Sequence, residues 1–382
     1  MNKRVFIKTL GKGALSTLSI PLWNACNQPA ASSTTKMVEG MPSRWVWLRP
    51  KLEQTDDYWR STFDKMAENG IEAVLPQIFN SHHALFDLPG FPVKERLLER
   101  LIPLAHEAGL QIHAWMWTMP CNAPEIIEKH PDWFAVNGLG QPAHTHPAYV
   151  DYYKFLCPRH PEVIEFLKTR VESLAKISEL DGIHLDYIRL PDVILAEGLQ
   201  PKYDLVQDRE YPQFDYCYND ICREQFQAEG GADPMALEDP SQDEAWRKFR
   251  QAGITNLVND HLVPIARQYD KKITAAVFPN WESVRQAWHE WDLDGFLPML
   301  YQGFYNADID WIKTQTANAL ERLHHSKPIY SGLFLPHLNI EKLPVAVDAA
   351  TAGGAKGYAL FAYENLTADY WQVLKSINKN MK

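Results

Sequence analysis

The sequence predicts a single α/β domain folded as a (β/α)8 TIM barrel, and three observations support this. Short apolar runs rich in β-branched and aromatic residues alternate with amphipathic helical stretches from residue 44 onward. The alternation makes eight strand–helix units in about 335 residues, a length that one barrel with insertions can fill. Two connections are long, residues 118–161 and 189–242, and both follow the C-terminal end of a predicted strand. That end of a barrel is where functional sites lie.

The strands are predicted from runs of five to seven residues bounded by turn formers. In chain order they are RWVWLR at 44–49, AVLPQI at 73–78, QIHAWMW at 111–117, GIHLDYI at 182–188, KITAAVF at 272–278, GFLPMLY at 295–301, IYSGLF at 329–334 and GYALFAY at 357–363. A doubly wound open sheet is the alternative. It needs a glycine-rich phosphate loop after the first strand, and Pro50-Lys51-Leu52 is not one.

The helices are predicted from apolar residues that recur every three to four positions, with Gly70 and Gly109 as C-terminal stops for the first two. In chain order they are 57–69, 93–108, 162–177, 243–268, 281–290, 309–323, 341–352 and 368–377. Each follows one strand, which is the order that a barrel requires.

Residues 1–26 are typical of an export signal. Lys3, Arg4, Lys8 and Lys12 precede a short apolar stretch at 14–23, too short to span a bilayer, and Ala25-Cys26 resembles a lipoprotein cleavage point. Polar, small residues at 27–42 suit a flexible tether to a barrel at 43–382. We therefore expect an exported protein in the periplasm or cell envelope, with a membrane contact only through a lipid on Cys26. The alternative is secretion with Cys26 unused.

The composition favours some classes of binding partner and argues against others. A formal net charge of -10 without a basic cluster argues against nucleic acid. Aromatic residues make up 12%, with 13 Trp, so the chain can bury a large core or stack on sugar rings. The cysteines after residue 26 lack metal-ligand spacing, so we expect structural roles for them and no metal or cofactor. They are Cys121, Cys157, Cys217 and Cys222.

Asp186 is the most informative candidate because it lies inside an apolar strand near its C-terminal end, where a carboxylate is costly unless it is paired or used. Alternation places His184 on the same side of the strand, toward the barrel axis. Arg189 could hold Asp186 ionised. The alternative to a catalytic role is an Asp186–Arg189 ion pair that only closes the barrel.

Glycoside hydrolysis needs a second carboxyl group, about 5 Å away for retention or about 6.5–9.5 Å for inversion. Glu282, just past the fifth strand, and Glu364, at the end of the eighth, are the candidates. Glu282 could instead stabilise a helix N-terminus, and Glu364 could be a rim contact. Separations from Asp186 far beyond 10 Å in both pairs would favour a binding protein over an enzyme.

Other side chains at strand ends are candidates for substrate binding. They are His113, Trp117, His184, Tyr187, Arg189, Trp281 and Tyr301. The aromatic rings suit sugar faces, although some must face the helices as core. The first strand lacks the HxH pair common in metal-dependent barrels, and a GxSxG nucleophile motif is absent.

Residues 181–189, DGIHLDYIR, resemble the fourth-strand signature of glycosyl-hydrolase-family-10-like bacterial envelope proteins, many of them lipoproteins. The runs HPDWFAVN at 130–137, LCP at 156–158, PEV at 161–163, VFP at 277–279 and LPMLY at 297–301 are similar to that family in order and spacing. The resemblance covers about residues 44–370. It implies a TIM barrel, export and action on glycosidic bonds of cell-wall or other polysaccharides. Some members carry a second Asp where this chain has Tyr187.

The sequence thus predicts an exported glycoside hydrolase with a carbohydrate partner. Asp186 is expected as nucleophile or transition-state stabiliser, oriented by Tyr187 and Arg189, with Glu282 as general acid/base and Glu364 in reserve. One alternative is a catalytically inactive glycan-binding barrel. Another is a metal-dependent deacetylase. Sugar identity, stereochemistry and oligomeric state stay open.

Overall fold

The computed structural model describes residues 40–380. The predicted export signal, Cys26 and most of the tether lie outside the described residues. Within the described part of the chain, no helix is both long and apolar enough to cross a membrane.

Eight parallel strands form the sheet, in the spatial order β6-β5-β4-β3-β2-β1-β8-β7. They are β1 (Arg44–Leu48), β2 (Ala73–Phe79), β3 (Gln111–Trp117), β4 (Gly182–Asp186), β5 (Lys272–Val277), β6 (Gly295–Pro298), β7 (Tyr330–Phe334) and β8 (Gly357–Phe361). Isolated parallel bridges from Phe296 to Ile329 and from Met299 to Gly332 join β6 to β7 and close the ring. The predicted (β/α)8 barrel is confirmed.

The helices surround the strands. They are α1 (Asp56–Glu68), α2 (Leu98–Glu107), α3 (Pro124–Lys129), α4 (Pro161–Ala175), α5 (Asp220–Ala228), α6 (Glu244–Asn256), α7 (Val263–Gln268), α8 (Asp310–Arg322), α9 (Lys342–Ala352) and α10 (Ala368–Asn380). A π-helical stretch, Leu257–Leu262, joins α6 to α7. The predicted helix at 243–268 is therefore one continuous helix whose middle section is π-helical.

Two predicted helices differ from the structure. Helix α2 begins five residues later than predicted, because Val93 pairs with Ala84 in an isolated bridge. The predicted helix at 281–290 is two 3-10 turns, Trp281–Val284 and Trp288–Glu290. Between them Arg285 has φ of 53°, a left-handed conformation that ends helical continuity.

The barrel interior is filled by alternating large and small side chains. Trp45, Trp47 and Trp115 point into it and are at most 1% exposed. Ala276 and Ala359 line the same interior cluster and leave room for the indoles. A packed interior of this kind leaves the strand C-termini as the place for a ligand.

The long connections after β3 and β4 fold against each other over one side of the barrel mouth, with a bridge between Asn137 and Tyr216. Beneath them the carboxylate of Asp215 forms ion pairs with Arg250 and Arg285. These three side chains are at most 2% exposed. The buried ion pairs fix the loops that build one wall of the site.

Candidate active site

A cavity of about 270 Å³ opens among the C-terminal ends of the strands. Its walls are mostly aromatic. The long connection after β3 contributes Tyr149, Tyr152 and Tyr153 to them, and the one after β4 contributes Tyr203. Two carboxylates, Asp186 and Asp192, line it together. An enclosed aromatic wall with a few polar groups is the usual form of a small-molecule site.

Asp186 ends β4 and is 8% exposed. Its Oδ2 accepts a hydrogen bond from the indole N–H of Trp115 at 2.9 Å, and its Oδ1 accepts one from the backbone N–H of Tyr187 at 2.7 Å. Burial raises the pKa of Asp186 to about 6, although both hydrogen bonds and the charges of Arg189 and Arg49 act in the opposite direction. A carboxyl group with this pKa can give and take a proton near neutral pH.

Tyr187 follows Asp186 with φ of 50°, in the left-handed region. This conformation turns the chain out of the strand and brings the Tyr187 N–H back onto the carboxylate. The Tyr187 ring lies in the cavity wall against Trp117, with ring centroids 4.6 Å apart. The position that holds a second Asp in some family members thus supplies a backbone donor and an aromatic surface.

The expected Asp186–Arg189 ion pair is not formed among the described residues, which corrects the prediction that Arg189 orients Asp186. The Arg189 guanidinium contacts the carboxylate of Asp192 at 3.0 Å and the hydroxyl of Tyr153 at 3.2 Å. The same Nη1 that contacts Asp192 also donates to the Leu190 carbonyl at 2.9 Å. Both acceptors belong to the chain just after Arg189, so the guanidinium is held there and not on Asp186.

His184 and His113 lie in the packed barrel interior and are not among the residues that line the cavity. Burial lowers the pKa of His184 to about 3 and of His113 to about 4, so both rings are neutral. Because the Trp47 indole N–H can only donate, Nε2 of His184 accepts from it at 3.1 Å. The Nδ1–H of His184 then donates to Thr274 Oγ1 at 2.9 Å. These bonds support the layer directly beneath Asp186.

Trp117 and Tyr301 line the cavity, as the sequence predicts for residues at the mouth. The indole N–H of Trp117 and the hydroxyl of Tyr301 are buried, and neither has a hydrogen-bond partner among the described residues. Burial, followed by the charge of Asp186, raises the pKa of Tyr301 well above its usual range. Two unused donors in one cavity can bind acceptors on a ligand.

Glu282 and Trp281 lie outside the cavity. Glu282 is exposed on the first 3-10 turn after β5. The Trp281 ring contacts His289, with centroids 4.8 Å apart, and the Arg322 guanidinium on α8 lies 5.5 Å from it. Neither residue is among those that line the cavity, so the structure does not bring them to Asp186.

Glu364 lies at the rim. Its exposed carboxylate accepts a hydrogen bond from the backbone N–H of Arg49 at 2.5 Å. This bond ties the end of β8 to the end of β1, which is the rim contact that the sequence left open as an alternative. Glu364 is not among the residues that line the cavity, whereas Arg49 is.

Asp192 lines the cavity but was not predicted from the sequence, whereas Arg49 and Tyr305 lie at or after the ends of predicted strands and were given no assigned role. Arg49 ends the first predicted strand, so its position alone was a usable signal. Asp192 lies in a 54-residue connection whose path no periodicity reveals. Its burial beside Arg189 follows from the tertiary structure.

Cys157, Cys217 and Cys222 form the one group among the described residues whose side chains could jointly hold a metal ion, with Sγ atoms within 4.8 Å of one another. All three are fully buried in the hydrophobic core. None lines the cavity, so this group is separate from Asp186. Cys121 is also buried as a free thiol.

Comparison with known proteins places this geometry in a family. The model of the family described as glycosyl hydrolase-like 10 matches residues 44–333. The chain belongs to the glycosyl hydrolase-like 10 family. Membership confirms the resemblance seen in the strand signatures.

Relatives of this glycosyl hydrolase-like 10 protein agree with that assignment. It is 27% identical over 151 residues to "Glycosyl hydrolase YngK" of Bacillus subtilis (strain 168). That match spans 35% of this chain and 28% of the relative's length. The chain thus matches less than one third of the relative's length.

Two solved structures have the same fold as this family member. The glycoside hydrolase domain of PgaB (BpsB) from Bordetella bronchiseptica has a TM-score of 0.68 at 17% identity, covering 88% of this chain and 99% of that one. The catalytic domain of β-amylase from Paenibacillus polymyxa has a TM-score of 0.64 at 12% identity, covering 89% and 98%. At these identities the likeness establishes the barrel alone.

Proposed function

We propose that this chain is an exported glycoside hydrolase in which Asp186 is the general acid and Asp192 is the second carboxyl group of the reaction. The observation that carries the proposal is the raised pKa of Asp186, a buried carboxyl group in the wall of an enclosed aromatic cavity. A protonated carboxyl group can donate its proton to the leaving oxygen of a glycosidic bond. This role replaces the nucleophile role expected from the sequence.

Asp192 is proposed as the partner carboxylate because the Arg189 guanidinium lies 3.0 Å from its Oδ2. Two carboxyl groups with different roles need different environments. Asp186 has apolar and hydrogen-bonding neighbours, whereas Asp192 has a guanidinium. Glu282 and Glu364 are outside the cavity lining, so we no longer assign them to the proton transfers.

The walls of the cavity support a carbohydrate substrate. The rings of Trp117 and Tyr187 meet at one side, and the Tyr301 ring packs on Phe334 with centroids 5.0 Å apart. Sugar rings present C–H faces to aromatic planes, and their hydroxyls can accept from the unused donors of Trp117 and Tyr301. The volume of about 270 Å³ suits a short section of a glycan chain.

Export is proposed from the basic and apolar residues at 3–23, and lipid attachment from Ala25-Cys26. A polysaccharide of the cell envelope is the substrate that such a location favours. Radiolabelled palmitate incorporation, compared between the natural chain and a Cys26→Ser variant, tests the anchor. Incorporation that persists without Cys26 contradicts it.

Release of new reducing ends tests the proposed hydrolase. The purified chain is incubated with a panel of polysaccharides, including peptidoglycan glycan strands, beside three variants: Asp186→Asn, Asp192→Asn and Glu282→Gln. We expect product from the natural chain and from Glu282→Gln, and losses of several orders of magnitude in the two Asp variants. Circular dichroism confirms that each variant is folded.

The second candidate is a glycan-binding barrel without activity, favoured by the absence of Glu282 and Glu364 from the cavity lining. The two functions separate cleanly in the same assay. Binding of a glycan without product from the natural chain supports the binding protein. Full activity in Asp186→Asn contradicts the assignment of Asp186.

A further inference from the structure

Arg49 is a cation at the cavity without an anionic partner. It follows β1, lines the cavity and is exposed. Its backbone N–H binds Glu364, but among the described residues its guanidinium has neither an ion pair nor a hydrogen bond. The guanidinium lies over the ring of Phe361, 4.8 Å from the centroid. Stacking on the ring leaves the N–H groups at the edge of the guanidinium free for a ligand.

The net charge of the cavity lining is opposite in sign to that of the whole protein. The whole protein has a formal net charge of -10, yet the cavity lining contains three cations and two carboxylates. Arg189 is paired with Asp192. Lys202 is exposed at the cavity and, like Arg49, has no ion pair within the described range 40–380. The unpaired positive charge is therefore local to the site.

We propose that Arg49 binds the carboxylate of an acidic sugar, so that the substrate is a glycan carrying carboxyl groups. The inference rests on the proposed function and names its substrate class. A carboxylate matches the planar fork of a guanidinium with two parallel hydrogen bonds. Because the Arg49 guanidinium already lies over the Phe361 ring, less side-chain freedom is lost on binding.

The position of Arg49 determines which sugar unit of the glycan it binds. Arg49 is close enough to Asp186 and Tyr301 for its charge to lower the pKa of both. The acidic sugar is thus the one at the reacting carboxyl group or its immediate neighbour, and Lys202 attracts the rest of the polymer at the rim. Uronic acids and the lactyl ether of muramic acid both supply such a carboxylate.

The test uses binding as well as turnover. Hyaluronan, alginate and galacturonate oligosaccharides and peptidoglycan glycan strands are each compared with a counterpart whose carboxyl groups are reduced to alcohols. Calorimetry measures binding to Asp186→Asn, alone and combined with Arg49→Gln or Arg49→Lys. Reducing-end release by the natural chain is measured on the same pairs. Lys356 is exposed just before the first residue of β8, at the opposite end of that strand from the cavity, so Lys356→Gln serves as a matched loss of charge.

We expect one carboxylated class to bind about ten- to a hundredfold more tightly than its reduced counterpart, the range for a charged hydrogen-bonded pair. Arg49→Gln should remove that preference, Arg49→Lys should restore part of it, and Lys356→Gln should keep it. If the chain binds the carboxylated glycan more tightly but releases no reducing ends from it, the inference about Arg49 holds and the proposed hydrolase activity is contradicted. Turnover with equal use of both counterparts overturns the inference and leaves the hydrolase. Failure of every carboxylated glycan to bind also overturns it.

Discussion

The indole N–H of Trp115 on β3 donates a 2.9 Å hydrogen bond to Oδ2 of Asp186 on the neighbouring strand β4. This bond stabilises the ionised form of Asp186, whereas burial favours the protonated form, and burial is the larger effect. The pKa of the proposed acid is therefore set by the balance of two features that can be altered separately.

Trp115→Phe removes the donor and keeps most of the ring. We expect the pKa of Asp186 to rise by about one to two units, since a hydrogen bond to a charged group is worth about 1.5–3 kcal/mol. The descending limb of kcat/KM should move to higher pH by that amount. Trp45→Phe is the matched control, because its N–H binds the Pro42 carbonyl at the other end of the barrel. A limb that stays in place in Trp115→Phe contradicts the role of this bond.

Tyr301→Phe separates ligand binding from stability. The Tyr301 hydroxyl has no protein partner in the described structure, so its removal should leave the melting temperature unchanged or slightly raised. Glycan affinity should fall about 3- to 10-fold, the value of one uncharged hydrogen bond. Thermal unfolding and calorimetry measure the two effects.

Tyr358→Phe should have the opposite effects to those of Tyr301→Phe. The Tyr358 hydroxyl donates to Asn378 at 2.7 Å, away from the cavity, so the variant should lose about 1 kcal/mol of stability and keep its glycan affinity. If Tyr301→Phe behaves like Tyr358→Phe, the Tyr301 hydroxyl is structural and does not contact the substrate.

Asp215→Asn tests the ion pairs beneath the wall of the site. The change leaves Arg250 and Arg285 buried without their shared carboxylate, and we expect a loss of about 3–5 kcal/mol in the free energy of unfolding. Urea denaturation measures it. Asp220→Asn is the control, because the exposed Asp220–Arg223 pair at 3.0 Å should contribute less than about 1 kcal/mol. Equal losses in both variants contradict the structural role of Asp215.

The stability lost in Asp215→Asn is expected to depend on pH. Burial alone would raise the pKa of Asp215, but Arg250, Arg285 and the Tyr218 hydroxyl outweigh it and lower the pKa. A lowered pKa means that the carboxylate contributes stability above its unfolded-state pKa of about 3.9. That contribution is lost as the pH falls through the folded-state value. The stability difference from Asp215→Asn should therefore be constant from pH 5 to 8 and shrink below about pH 4.

The barrel and one part of the site were predictable from the sequence, because both depend on local pattern. The apolar runs and their spacing predicted eight strands, and the position of Asp186 inside such a run predicted a carboxyl group at the strand ends. Trp117 and Tyr301 followed from the same strand-end argument. Trp117 and Asp186 are the last residues of β3 and β4, and Tyr301 lies three residues after the end of β6.

The second carboxyl group was not predictable in this way. Glu282 was expected at the cavity because it lies just past the fifth strand. In the structure it lies on an exposed 3-10 turn that the left-handed Arg285 ends, and it is not among the residues that line the cavity. Asp192 reaches the cavity through a long connection held by contacts between distant residues, such as the bond from Tyr149 to the Asp192 carbonyl. Local patterns contain no information on such contacts, so position along a strand could not reveal them.

The central claim is that Asp186 acts as a protonated acid, and the pH dependence of kcat/KM tests it most directly. The rate constant for the natural chain, measured on the substrate found by reducing-end release, should fall as the pH rises through about 6, since the active form carries the proton. Glu282→Gln should give the same profile, and Asp186→Asn should lose this limb together with most of its activity. A kcat/KM that instead rises through pH 6, or a limb that persists in Asp186→Asn, would contradict the claim.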